Sequence, residues 1–192
     1  MASEDDRVDV PLVALYEGVV IDNRDPLKIG QVRLRVPGVL EESDWALPLA
    51  PPGGGEKQLG FYAVPKVGAE VGVWFVQGDP DRPRYVPGHW GAPGQQSQAP
   101  TPVQEVTPEE APDIRCFETP RFLLAFDDRP GHASVVLVDK VSGDGITMDA
   151  MTRAVRVKGT AGVIIESTGA VSIKGLVVNI NGRSVRNTKE PI

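Results

Sequence analysis

Val155-Arg156-Val157-Lys158-Gly159-Thr160-Ala161-Gly162, Val163-Ile164-Ile165-Glu166-Ser167-Thr168-Gly169-Ala170 and Val171-Ser172-Ile173-Lys174-Gly175 are successive copies of one eight-residue repeat. In each, two β-branched residues stand two apart and a glycine-bearing connection follows, the pattern of short strands with one apolar face. Ile146-x-Met148 before the repeat and Val178-x-Ile180 after it continue the series, each displaced by one residue, so irregular geometry is expected at both ends. One chain of such strands can neither enclose its apolar side chains nor pair both of its edges. A single-chain parallel β-helix spends considerably more than eight residues on each coil. Three chains winding together supply enough strands per layer for a dry core. The expectation is an intertwined homotrimer whose interior is Val155, Val157, Val163, Ile165, Val171, Ile173, Val178 and Ile180. Ladder hydrogen bonds between chains make such an object stiff, and stiffness is a mechanical property.

Working outward toward the N-terminus, Phe122-Leu123-Leu124-Ala125-Phe126 and Val135-Val136-Leu137-Val138 read as two strands joined across Asp127-Asp128-Arg129-Pro130-Gly131. Gly91 to Pro112 holds Pro, Gln, Glu, Gly and Ala with no aromatic residue and no Lys or Arg, a composition that builds no core and reads as an extended, semi-rigid linker. Before it, Gln31-Val32-Arg33-Leu34-Arg35-Val36 alternates with period two, so Val32, Leu34 and Val36 should point inward. Val71-Gly72-Val73-Trp74-Phe75-Val76 is apolar on both faces, as in a strand covered on both sides. Turn signals at Asp25-Pro26, Pro37-Gly38, Pro51-Pro52-Gly53-Gly54-Gly55 and Gly78-Asp79-Pro80 bracket these strands and suit a small barrel. The chain is therefore read as all-β: a barrel over residues 1–90, a linker over 91–112 and a trimeric needle over 113–192.

Composition limits the function. At 192 residues the chain holds an ordinary domain and an accessory element, and it has no apolar run of the length a membrane helix needs. The acidic start Met1-Ala2-Ser3-Glu4-Asp5-Asp6 lacks the basic and apolar regions of a secretory signal, so synthesis in the cytoplasm without a signal peptide is expected. A net charge of −6 opposes general affinity for nucleic acid. The single Cys116 excludes an intrachain disulfide and a cysteine-rich zinc site, and with no neighbouring His or basic partner it reads as an ordinary thiol.

Several pieces together resemble a known family. Gly18-Val19-Val20, Asp25-Pro26, Gly30-Gln31-Val32-Arg33-Leu34-Arg35-Val36-Pro37, Trp45, Pro65-Lys66-Val67-Gly68-Ala69-Glu70-Val71-Gly72-Val73-Trp74-Phe75 and Gly78-Asp79-Pro80-Asp81-Arg82-Pro83 stand in an order similar to the oligonucleotide/oligosaccharide-binding (OB) barrel of central spike proteins. These are the spikes of contractile-tailed phages, of extracellular contractile injection systems and, as VgrG proteins, of type VI secretion. Phe126-Asp127-Asp128-Arg129-Pro130-Gly131, Val157-Lys158-Gly159 and Ile173-Lys174-Gly175 are similar to that family's entry into its trimeric β-helix. The resemblance implies a baseplate spike that docks on a trimeric hub by its barrel end and makes transient contact with the target membrane. VgrG chains carry the hub before the barrel; here about a dozen residues precede it, which implies a separate hub protein and a phage or phage-like particle. The linker is too short for the lysozyme domain of some spikes. Asn179 to Ile192 has no His for an iron-bound tip, which implies a separate PAAR-like tip protein.

No residue set points to catalysis. Asp127-Asp128 before Pro-Gly reads as a loop-shaping pair rather than an acid/base pair. His89 and His132 have no ligand-spaced neighbours; only a threefold repetition of His132 about an axis would offer a metal site. Arg24, Lys28, Arg33 and Arg35 form a basic patch without an aromatic stacking platform, while Trp45 and Trp74 read as core. Gly53-Gly54-Gly55 lacks the Lys-Ser/Thr of a phosphate loop. No catalytic residue, metal or cofactor is expected. The competing reading is an OB module on a trimeric stalk that binds a glycan or a nucleic acid.

Overall fold

The computed structural model describes residues 12–49 and 57–185, so Gly53-Gly54-Gly55 lies outside the described residues. The chain divides into two compact units, residues 1–98 and 99–192. Strands supply nearly all regular structure, with a single four-residue α-helix among the described residues.

The first unit contains β1 (Tyr16–Asp22), β2 (Arg33–Arg35), β3 (Leu47–Pro48), β4 (Glu70–Phe75) and β5 (Pro83–Pro87). They form one sheet in the order β2-β1-β4-β5-β3, antiparallel except for the parallel β3/β5 pair. Alternation decides the core: Val32, Leu34 and Val36 are buried as expected, together with Val20, Val71, Val73, Phe75 and Tyr85. Trp74 departs from its expected core position and from a strand covered on both sides. Val71, Val73 and Phe75 take the inward positions of β4, so Trp74 lies on the other face at 39% exposure, across from Arg84. Trp45 is half-buried, with the Arg33 guanidinium 5.1 Å over its ring.

The Asp25-Pro26 motif acquires a physical role. The Asp25 carboxylate accepts the amides of Leu27 (2.8 Å), Ile29 (2.7 Å) and Gln31 (3.1 Å), folding the loop that feeds β2. Gly30 closes it with φ +85°, packed where a side chain would meet Pro48 and Tyr62, and its carbonyl accepts the Tyr85 hydroxyl at 2.7 Å. Burial pushes the Tyr85 phenol up to about 12, which keeps it a donor.

The second unit opens with α1 (Thr101–Gln104) and continues with β6 (Ile114–Glu118), β7 (Phe122–Asp127), β8 (Ser134–Asp139), β9 (Gly145–Asp149) and β10 (Ala154–Lys158). These five strands form an antiparallel meander in sequence order. The hairpin expected across 127–131 is its β7/β8 element. Three of its strands end on aspartate, whose carboxylate accepts the amide two residues on: Asp127 from Arg129, Asp139 from Val141 and Asp149 from Met151. Beyond a stretch without regular secondary structure, β11 (Val178–Ile180) and β12 (Arg183–Val185) pair across Asn181-Gly182, both at positive φ, the hairpin signature of that dipeptide.

The Pro-rich segment holds ordered turns. Pro93–Gln95 forms a 3₁₀ turn, and the Gln98 amide donates to the Gly91 carbonyl at 2.9 Å. Residues 99–113 fold with the meander: the Glu118 carboxylate accepts the Thr101 amide (2.6 Å) and hydroxyl (2.9 Å), and Lys140 donates to it at 2.6 Å. Arg129 bridges Asp127 (2.8 Å) and Glu110 (3.4 Å). Composition alone hid this docking because the partners come from strands downstream.

Candidate assembly surface

Registers across the meander sort its side chains into two faces. Phe117, Leu124, Leu137, Ile146 and Val157 stand directly opposite one another on successive strands, and so do Phe126, Val135, Met148 and Val155. The first row is apolar across all five strands and the second across β7 to β10, with Arg115 completing it at the β6 edge; Phe117, Phe126, Leu137, Ile146, Met148, Val155 and Val157 on this face are exposed. The other face carries the row Cys116, Ala125, Val136, Thr147 and Arg156, with Ala125 buried and Glu118 tied to α1. A contiguous exposed apolar face of this kind marks an interaction surface.

The eight residues expected at the needle interior fall into three settings. Val155 and Val157 lie on β10, whose ladder partner is β9 of the same chain, because the turn at 150–153 folds β10 back onto the sheet. Val163, Ile165, Val171 and Ile173 lie in residues 161–177, which carry no regular secondary structure and among the described residues have no strand partner and no backbone-to-backbone hydrogen bond. All four are exposed, Ile165 and Ile173 by about 70%. Val178 and Ile180 lie on β11 in the terminal hairpin. The displacement of both flanking pairs from the eight-residue period thus marks two places where the chain pairs with itself. The grouping of Phe117, Phe126, Leu137 and Met148 depends on strand register and has no local sequence signal, whereas the Asn181-Gly182 turn has one in its own dipeptide.

The remaining candidates are engaged locally. Arg129 holds the Asp127 carboxyl below its usual range, and Arg115 pairs with Asp128 at 2.5 Å, so each carboxylate of that pair has its own cation. Arg24 pairs with Asp22 and Arg33 with Glu42, which commits half of the basic patch to neighbouring acids; Lys28 and Arg35 are exposed. His89 Nε2 is 3.9 Å from Glu70 and exposed, and His132 sits exposed in the turn after Arg129. Burial raises the half-buried Cys116 thiol. Among the described residues, no group of three or more His, Cys, Asp or Glu could hold a metal ion, and no helix is long and apolar enough to cross a membrane.

Six carboxylates of the second unit titrate below their ordinary values: Glu110 through the Thr107 amide, Glu118 through Lys140, Asp127 through Arg129, Asp139 through Arg121, Asp144 through the Thr160 hydroxyl, and Asp149 through the Thr152 amide. A depressed folded value means stability that is complete above the ordinary carboxylate range and lost as pH falls through the folded values. The thermal midpoint of this unit should hold steady from neutrality to about pH 5 and drop below about pH 4. Asp139→Asn should lower the plateau and flatten the drop. A midpoint unchanged down to about pH 2 contradicts the carboxylate role.

Residues 16–90 match the family model described as the type VI secretion system/phage-baseplate injector OB domain, which covers the whole β1–β5 sheet. No curated protein matches the chain.

Proposed function

We propose, from the match of residues 16–90 to the OB-domain model of type VI secretion and phage-baseplate injectors, that this chain is the central spike of a contractile phage tail or phage-like injection particle. Three copies bring their apolar meander faces together and wind residues 161–177 around one another, so that the unpaired strands find their ladders between chains. The barrel end docks on a separate trimeric hub protein, a PAAR-like protein caps the other end, and contraction drives the assembly into the target envelope. The spike has no catalytic role and uses no cofactor.

The observation that carries the reading is the conjunction of a match to the injector OB-domain model with a downstream segment rich in exposed Val and Ile that has no strand partner among the described residues. Burying one such side chain contributes about 1.5–3 kcal/mol, and this burial together with the ladders between chains opposes the entropy lost in ordering the segment. Light scattering tests it on the full chain and on a chain ending at Pro112. The full chain should have three chain masses and the shortened one fewer. A monomeric full chain excludes the spike and turns attention to an OB module that reads a glycan or nucleic acid.

A further inference from the structure

Charge is divided unevenly along the chain. Residues 150–192 carry seven Lys and Arg against two carboxylates, whereas residues 1–149 carry thirteen against twenty-four. Within the second unit, ion pairing changes at the same point. Every Lys and Arg between 99 and 149, namely Arg115, Arg121, Arg129 and Lys140, is in an ion pair. Among the described residues none of Arg153, Arg156, Lys158, Lys174 and Arg183 is, and all five are exposed. Asp144 attracts Lys158 and Asp149 attracts Arg156 without an ion pair, and these carboxylates accept their hydrogen bonds from Thr160 and from the turn amides of Met151 and Thr152.

Position adds to the count. The β9/β10 register places Arg156 and Lys158 on the face opposite to Val155 and Val157. The eight-residue period carries Lys158 to Glu166 and then to Lys174, each one residue beyond an apolar position of the repeat. Ile164 alternates with the apolar row, and it and Leu176 are among the most exposed aliphatic side chains of the chain. Cations interspersed with exposed aliphatics suit the boundary between lipid headgroups and acyl chains. A single-stranded nucleic acid would ask instead for aromatic platforms, and residues 150–192 contain no Phe, Tyr or Trp.

We infer that the outward side of residues 153–183 is a cationic shaft that binds lipid surfaces bearing anionic phosphate headgroups. The inference rests on the spike reading for its outward direction and adds the chemistry of the surface that the spike meets. Headgroup attraction draws the basic end of the particle onto the target, and the acidic remainder of the chain does not compete for that surface.

The test is co-sedimentation of the full-length protein with vesicles of phosphatidylcholine alone, or with phosphatidylglycerol replacing about a third of it. Binding should require phosphatidylglycerol and vanish near 1 M salt, where screening acts within about 3 Å. Each basic residue near such a surface contributes roughly fivefold. Arg156→Gln, Lys158→Gln and Lys174→Gln combined should therefore weaken binding more than about a hundredfold. Glu166→Gln should strengthen it by roughly fivefold. Equal binding to neutral vesicles, no binding to either kind, full binding by the triple variant, or preference for added DNA over the vesicles would each overturn the inference. Light scattering of the same samples separates the two readings. A trimer that ignores anionic vesicles leaves the spike standing without the shaft, whereas a monomer that binds them sinks the spike alone.

Discussion

A chain carrying Ile173→Asp is expected to have the mass of one chain in solution, with its first unit still folded. In the proposed trimer three Ile173 side chains would meet in one layer, so the substitution would bury three carboxylates together. Each has a desolvation penalty of several kcal/mol that no cation in the repeat's apolar row offsets. That exceeds what the remaining Val and Ile contacts of a layer return. Trp45, Trp74 and Trp90 all lie in the first unit, so tryptophan emission reports the barrel independently of the needle. The emission should be unchanged while the mass falls threefold. Ile164→Asp is the control: Ile164 alternates with the apolar row at 82% exposure, and its substitution should leave the trimer intact. Equal effects at Ile164 and Ile173 would contradict the assignment of inward and outward positions.

Leu34→Ala should be the most damaging single truncation in the barrel. Leu34 is fully buried at the middle of β2, and its backbone is fastened on both sides, the amide donating to Ser43 Oγ at 3.0 Å and the carbonyl accepting the Ser43 amide at 2.8 Å. With the backbone so held, the cavity cannot close, and the cost belongs at the upper part of the range of about 2–5 kcal/mol. Against a typical domain stability of about 5–15 kcal/mol, the denaturation midpoint read from tryptophan emission should fall sharply with an unchanged slope. Trp74→Ala, although it removes a larger side chain, should shift the midpoint far less, because the Trp74 ring lies on the outer face of β4. A larger loss at Trp74 than at Leu34 would restore the core position that its sequence neighbourhood indicated.

Legibility in the sequence followed the range of the interactions involved. Val32, Leu34 and Val36 were placed correctly because alternation is local and only one face of their strand is buried. Trp74 was misplaced because six consecutive apolar residues hide which parity faces the core; the register with Tyr16 and Tyr85 across Val73 decides it. The apolar meander face could not be read in advance, since Phe117, Leu137 and Met148 are brought together only by three successive registers. Thr101 and Glu118, seventeen positions apart, gave no hint of the contact that ties α1 to β6. The charge division at residue 150 was present in the composition all along, and it acquired meaning only when the ion pairs of the meander left the downstream cations unmatched.

Amide hydrogen exchange at residues 161–177 of the full-length protein bears most directly on the central claim that these strands pair between chains. Within one chain the amides of Val163, Ile165, Val171 and Ile173 have no backbone acceptor among the described residues, so in a monomer they would exchange at the rate of an open peptide. The intertwined needle predicts protection equal to or greater than that of the β7/β8 ladder, lost together with the trimer in Ile173→Asp. Fast exchange at these four amides in a protein that is otherwise folded would contradict it.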